Sequence, residues 1–184
     1  TLDTSIVQPH NVSHIFIDKH KKLWFSTFGE GVYSYNGKSF KNYSESDGLI
    51  NDWIRSAIED SDGNIWFASK FGLCRFDGKL FMKFTESEGL PVDNTNIVFE
   101  DKERNIWIGS DGKGLCKFLG ETFTYLTTKD DLSSNIILSI LEDKDQNLWF
   151  STFGKGITKK EGAKSFKYTT DQGLNNNTIW ASLK

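Results

Sequence analysis

Few residues of this chain have the type and spacing of a reaction centre. The three histidines, His10, His14 and His20, lie close together near the start of the sequence, with no serine or cysteine in a nucleophile motif and no spacing of metal ligands. Cys74 and Cys116 stand in the related strings Leu73-Cys74-Arg75-Phe76 and Leu115-Cys116-Lys117-Phe118. Two thiols without matching histidines make a poor zinc site, and equivalent points of neighbouring repeats are too far apart for a disulfide. They are expected to be unpaired strand thiols. Paired acids recur as Glu59-Asp60, Glu100-Asp101 and Glu142-Asp143. Glycoside cleavage needs one unique pair across a cleft, so recurrence argues for a turn role instead. Asp60-Ser61-Asp62-Gly63-Asn64 resembles the start of a calcium loop, but its glycine is fourth rather than sixth and the twelfth residue is Phe71 rather than glutamate. No catalytic residue, metal or cofactor is expected.

Binding chemistry is better represented. Trp53 and Arg55 occupy alternate positions of an expected strand, and with Asp52, Asn94 and Asn96 they could form an aromatic and amide surface for a sugar. The indole would stack on a ring, and the guanidinium would hydrogen-bond an acid group in bidentate fashion. Phe28, Phe71 and Phe153 are further candidates on the same rim. The structural alternative is that Trp53 packs a loop and Arg55 pairs with a neighbouring carboxylate.

What must position these residues is a repeat. The tryptophan of Asn64-Ile65-Trp66-Phe67 recurs as Trp24, Trp107 and Trp149, at intervals of 42, 41 and 42. A second marker, Asp47-Gly48-Leu49, recurs as Glu88-Gly89-Leu90, Asp130-Asp131-Leu132 and Gln172-Gly173-Leu174, at intervals of 41, 42 and 42. Both markers give one period, in the range of propellers and helical arrays. Their mismatch places a deletion in the second copy within Ser69-Lys70-Phe71-Gly72, against Thr27-Phe28-Gly29-Glu30-Gly31 in the first, so that stretch must be a turn.

Strand and not helix fills the period. Short β-branched and aromatic runs at 12–17, 54–59, 95–100 and 137–142, with a fifth at 179–184, are each flanked by Asn, Asp or Gly. Turns such as Asp60-Ser61-Asp62-Gly63-Asn64 follow, where Asp can bond its own backbone two residues on and Gly or Asn tolerates positive φ. Next comes the tryptophan strand, whose three large residues in a row require both faces to be covered, as in stacked blades. A Gly-rich turn leads into a third strand rather than a helix, which rules out a phosphate loop. The third strand ends in hairpin signals such as Asn36-Gly37 and Asp77-Gly78. A fourth, with Lys and Asn alternating with aromatics, has the character of an outer edge.

The expected fold is therefore all-β: a β-propeller of four four-stranded antiparallel blades of about 42 residues plus the first strand of a fifth. The expected blades are 11–52, 53–93, 94–135 and 136–177, with an extra strand at 178–184, in one domain or propeller fragment covering 1–184.

The totals of the 184-residue chain exclude other classes. A net charge of −3 with scattered basic residues gives no reason to expect nucleic acid, and the only local cluster, Lys19 to Lys22, reads as a solvated turn. No stretch approaches the roughly 20 apolar residues of a membrane span. Thr1-Leu2-Asp3-Thr4-Ser5 lacks the basic-then-apolar pattern of a signal peptide.

The unit Glu-Asp-x-x-Gly-Asn-Ile-Trp-Phe-x-Ser/Thr, a Gly-rich turn, Leu-x-Arg-Phe-Asp-Gly, Phe and Gly-Leu-Pro resembles the two-component regulator propeller repeat, most closely over 59–92. The resemblance covers nearly all of 11–184. It implies a periplasmic or extracellular β-propeller of a bacterial hybrid two-component system, a non-catalytic sensor of oligo- or polysaccharide. It transfers no catalytic residue, because the motif builds blades. The first turn, His20-Lys21-Lys22, and Asp131 in place of Gly depart from the pattern. Four repeats are also fewer than the family usually carries. The fifth first strand would be redundant in a closed four-blade ring, so either further blades of a longer chain or a homodimer of arcs is expected to complete a larger ring. A protein-binding scaffold is the alternative function, and a polysaccharide-cleaving enzyme a more distant one.

Overall fold

The computed structural model describes residues 9–181. Its strands are β1 (Val12–Ile17), β2 (Leu23–Thr27), β3 (Val32–Tyr35), β4 (Phe40–Tyr43), β5 (Ile54–Glu59), β6 (Ile65–Ser69), β7 (Gly72–Phe76) and β8 (Phe81–Phe84) in the first half. The second half holds β9 (Thr95–Glu100), β10 (Ile106–Ser110), β11 (Leu115–Phe118), β12 (Phe123–Leu126), β13 (Ile137–Glu142), β14 (Leu148–Thr152), β15 (Ile157–Glu161) and β16 (Lys164–Tyr168). They form four antiparallel four-stranded sheets, each in sequence order from an inner first strand to an outer fourth. This is the expected propeller blade.

One carboxylate closes each first-to-second turn. The indole N–H of Trp24, Trp66, Trp107 and Trp149 donates to Oδ2 of Asp18, Asp60, Asp101 and Asp143 at 2.9, 2.7, 2.7 and 2.9 Å. The other oxygen, Oδ1, accepts the backbone N–H of Lys22, Asn64, Asn105 or Asn147. Positive φ falls on Lys21, Gly63, Arg104 and Gln146, one residue earlier than the asparagines. The asparagine side chains instead bond back to the Asp, as Asn64 Nδ2 does to Asp60 Oδ2 at 2.9 Å.

Blades stack through these tryptophans. Trp66 is buried, stacks on Phe84 of its own blade at 5.6 Å and meets Phe118 of the next edge-on at 5.2 Å. Trp24 is packed likewise, on Tyr43 and against Phe76. At the turn rim a glutamate of each following blade accepts a backbone N–H from the one before: Lys19 to Glu59, Ser61 to Glu100 and Lys102 to Glu142. Cys74 and Cys116 are buried and unbridged, and burial pushes both thiols up to about 12.

Each fourth strand leads into a 3-10 turn at Glu45–Asp47, Glu86–Glu88, Thr128–Asp130 or Thr170–Gln172, closed by capping boxes from Ser44, Thr85, Thr127 and Thr169. A left-handed residue ends each one, Gly48, Gly89 and Gly173 in three and Asp131, at φ 69°, in the third. The marker leucines Leu49, Leu90 and Leu132 that follow are buried.

The blades form an open arc and not a closed four-blade ring. The first strands pack successively, β1 on β5, β5 on β9 and β9 on β13, with no comparable contact from β13 to β1. Val12, Ile15 and Ile17 of β1 are consequently 40, 55 and 61% exposed, whereas their equivalents Ile54 and Ala57 in β5 are fully buried. At the other end, residues 178–181 adopt no regular strand, but Ile179 donates its N–H to the Thr152 carbonyl at 3.3 Å. The remainder of the expected fifth first strand, 182–184, lies outside the described residues.

Candidate ligand-binding site

The second-to-third turns and the connections between blades share the rim opposite the Asp–Trp clasps. In the first blade the N–H groups of Gly29 and Gly31 both donate to the Asp52 carbonyl, at 2.9 and 3.0 Å. Gly112 and Gly114 do the same to Asn135, and Gly156 to Asn177. Gly31 has to be glycine: φ is +73° and a Cβ would lie 2.2 Å from the Tyr43 carbonyl oxygen. The second blade has the shortened turn that the sequence predicts, with only Lys70 and Phe71 between β6 and β7. There the Thr95 hydroxyl of the next blade bonds the Ser69 and Gly72 carbonyls at 2.9 and 3.1 Å, holding the short loop from outside.

Asp52 serves this scaffold. Its Oδ1 accepts the Glu45 N–H at 2.9 Å, just as Asp93, Asn135 and Asn177 accept from Glu86, Thr128 and Thr170. Burial, followed by the nearby charges of Glu45 and Asp47, raises the Asp52 carboxyl above its ordinary value. It lines neither cavity described below.

Arg55 sits at a bulge, where the β5–β6 register shifts between Ile54 and Ser56, so simple alternation with Trp53 does not hold. Trp53 lies outside β5 and forms an isolated bridge with Phe28, their rings 5.9 Å apart. Arg55 pairs with amides rather than with a carboxylate: its Nη1 donates to Oδ1 of Asn94 at 2.7 Å and of Asn96 at 2.6 Å. Asn94 passes a hydrogen bond on to Asp111 Oδ2 at 2.9 Å, and Asn96 donates to the Ile137 carbonyl at 3.1 Å. Ser13 makes the equivalent link to the Ile54 carbonyl. These links tie the inner strand of one blade to that of the next.

Two adjoining cavities open on this rim. One, of about 490 Å³, is lined by Phe28, Arg55, Asn96, Asp111, Ile136, Leu138, Phe153 and Trp180. The other, of about 400 Å³, is lined by Phe28, Trp53, Arg55, Lys70 and Phe71. Phe28 and Arg55 belong to both. The structure thus brings Trp53, Arg55, Asn96, Phe28, Phe71 and Phe153 to one mouth, keeps Asn94 behind Arg55, and leaves Asp52 to the scaffold.

Lys70, Asp111, Ile136, Leu138 and Trp180 join the lining without having been singled out from sequence. For two of them a signal existed. Asp111 interrupts the Phe28, Phe71, Phe153 series, and Lys70 lies in the shortened turn.

Neither cavity contains a histidine. His14 lies on β1, where burial depresses its basicity against a backbone hydrogen bond at Ala57, and His10 pairs with Glu30. Among the described residues no cluster of His, Cys, Asp and Glu could hold a metal ion, and no helix is long and apolar enough to cross a membrane.

The two component regulator propeller family model matches residues 48–71 and 131–154, so the chain carries repeats of that type there. No curated protein matches the sequence. The chain is similar to the extracellular domain described for the hybrid two component system BT3049 of B. thetaiotaomicron, at 24% identity and TM-score 0.82, over 95% of this chain and 26% of that one. It is similar also to the extracellular domain of the hybrid two component system BT4673 of that organism, at 21% identity and TM-score 0.75, over 96% and 26%. Virginiamycin B lyase from Staphylococcus aureus shares the fold at 16% identity and TM-score 0.70, over 90% of this chain and 58% of the lyase. The chain spans about a quarter of the length of these two extracellular domains. At these identities the likeness is one of fold.

Proposed function

We propose that this chain is part of a non-catalytic, ligand-sensing propeller that works outside the cytoplasm and binds a glycan or similar polar ligand at the mouth lined by Trp53, Arg55 and Phe71. The observation that carries the reading is where the repeat loses its symmetry. Trp53 stands where the other copies have Asn11, Asn94, Ile136 and Thr178, and Arg55 where they have Ser13, Asn96, Leu138 and Trp180. Blade building asks for the same residue each time, so residues that differ and meet at one cavity are free for recognition. Exposed aromatic faces beside amide and guanidinium donors suit a sugar ring and its hydroxyls. The similar propellers of B. thetaiotaomicron are extracellular domains of two component systems, which supports signalling as the output.

Titration with a panel of oligosaccharides, read by tryptophan emission and calorimetry, tests the reading. At least one is expected to bind the native chain, and Trp53→Ala is expected to abolish that binding while the melting temperature stays put. Binding that is unchanged in Trp53→Ala would sink this site.

A second reading has its own observation. The apolar face of β1, with Val12, Ile15 and Ile17 exposed, supports a protein contact that continues the stack, either further blades or a second copy forming a larger ring. Mass in solution at several concentrations decides whether copies associate: a concentration-dependent dimer favours that reading, and a monomer throughout removes the second copy.

A further inference from the structure

The second blade departs from the other three at Trp53, at Arg55 and at the shortened turn carrying Lys70, and all three line the same 400 Å³ cavity. Its walls are aromatic: Phe28, Trp53 and Phe71, each about half exposed. Among the described residues the charged groups on them are two cations, Lys70 and Arg55. The Lys70 ammonium lies 5.8 Å from the Phe71 ring centroid. Arg55 is held in place through Nη1 alone, by Asn94, Asn96 and, at 3.4 Å, the Thr95 carbonyl, which leaves Nε and Nη2 without a partner among the described residues. Asp111, the acid in the lining of the adjoining cavity among the described residues, already accepts a hydrogen bond from Asn94. Two cations that share a cavity with no carboxylate among the described residues, in a chain of net charge −3, form a local exception to the protein's overall sign.

Resting on the reading of the mouth as a ligand site, we infer that its ligand is an anionic saccharide, with an acid group seated between Lys70 and Arg55 and a ring stacked against Trp53. An oxyanion there receives charge-assisted hydrogen bonds from a guanidinium already oriented by two amides, and from a lysine whose ammonium lies over an aromatic ring. The shared chemistry is a carboxylate or a sulfate on a pyranose. Asn94 and Asn96 act as positioning residues, because they fix the guanidinium and leave its other donors for the ligand.

The test uses galacturonate and glucuronate oligosaccharides, their methyl esters, sulfated disaccharides and neutral counterparts, titrated into the 184-residue chain at low and high salt. At least one acidic sugar is expected to bind ten or more times tighter than its ester or neutral counterpart, with the advantage shrinking as salt rises. Lys70→Gln is expected to erase that advantage while the melting curve is unchanged, and the carboxylate and sulfate arms identify the acid group. Equal binding of acid and ester, lost in Trp53→Ala, overturns the anion inference and keeps the mouth as the site. Binding that survives Trp53→Ala, or none by any member of the panel, overturns both.

Discussion

On the rim that carries the first-to-second turns, one arrangement recurs in every blade: an Asp whose Oδ2 takes an indole N–H and whose Oδ1 closes the turn. On the opposite rim the corresponding turns offer Phe28, Lys70 with Phe71, Asp111 and Phe153 in turn, over a backbone frame shared by the first, third and fourth blades and shortened in the second. The difference separates two duties of a repeat. Identity from copy to copy marks the residues that hold a blade together and dock it on the next. Divergence, in side chain or in turn length, marks positions released from that duty. Substitutions on the first rim should therefore cost stability, and those on the second should cost binding.

The largest expected effect is at the clasp itself. Trp66→Ala removes a fully buried ring and leaves Asp60 without its indole partner, a loss of about 3–5 kcal/mol. Trp149→Ala should cost distinctly less, because Trp149 is only half-buried and stacks on Tyr168 without an edge-on ring from a further blade. Urea unfolding of both variants measures the gap. Equal losses would mean that the open end of the arc is covered in solution, which would sharpen the case for association.

Glycines give the next largest contrast, within one turn. Gly114 has φ +86° and a Cβ there would lie 2.2 Å from the Leu126 carbonyl oxygen, so Gly114→Ala should cost about 3 kcal/mol. Gly112 also has positive φ, at +110°, but open space around it, and Gly112→Ala should cost only about 1 kcal/mol. Thermal melts order the two, and a reversed order would show that the frame is not what fixes this rim.

The period made most of the frame legible. Two markers at one spacing locate the four first strands at 12–17, 54–59, 95–100 and 137–142, and their mismatch finds the short turn between β6 and β7. The Asp–Trp clasp was also within reach, since each Asp precedes its Trp by the same distance, but reading the Asp only as a turn former hides its second oxygen. The capping boxes that begin at Ser44, Thr85, Thr127 and Thr169 follow the Ser/Thr-x-x-acid or Gln pattern that identifies them without coordinates.

The mouth was harder to foresee for a physical reason. Its cavities join turns and strands from several blades, and which ones meet depends on how the blades curve around the axis, which no repeat column encodes. The reason for one grouping also escapes pattern reading: Arg55 does meet Asn94 and Asn96, but from a bulge between Ile54 and Ser56 that breaks the alternation with Trp53 on which the grouping was based.

A smaller effect on the clasp rim depends on pH. The Trp149 indole N–H, together with the Asn147 amide, holds the Asp143 carboxyl well below the usual carboxylate range. A carboxyl depressed by folding stabilises the folded state at any pH above its unfolded value, near 3.9, and that contribution fades as the pH falls below it. Asp143→Asn should therefore melt lower than the native chain at neutral pH, and the two curves should converge in strong acid. A gap that stays constant with pH would assign the loss to packing and not to the charge.

The smallest stability effect is expected at Trp53, and its smallness is what the comparison requires. Its indole is about half exposed, leans on Phe28 at 5.9 Å, and makes no side-chain hydrogen bond among the described residues. Its backbone N–H is held by Asn51 Oδ1 at 2.9 Å, which any side chain at this position would keep. Truncation to alanine should thus shift the unfolding free energy by no more than about 0.5 kcal/mol, the range of ordinary surface substitutions. Trp66→Ala on the same chain serves as the control. If Trp53→Ala destabilises the fold as much as a clasp mutant does, Trp53 belongs to the frame, and its departure from the other copies reflects packing between the first two blades. If stability holds and saccharide binding is lost, the two rims divide the work: one keeps the blades in register so that the other can vary.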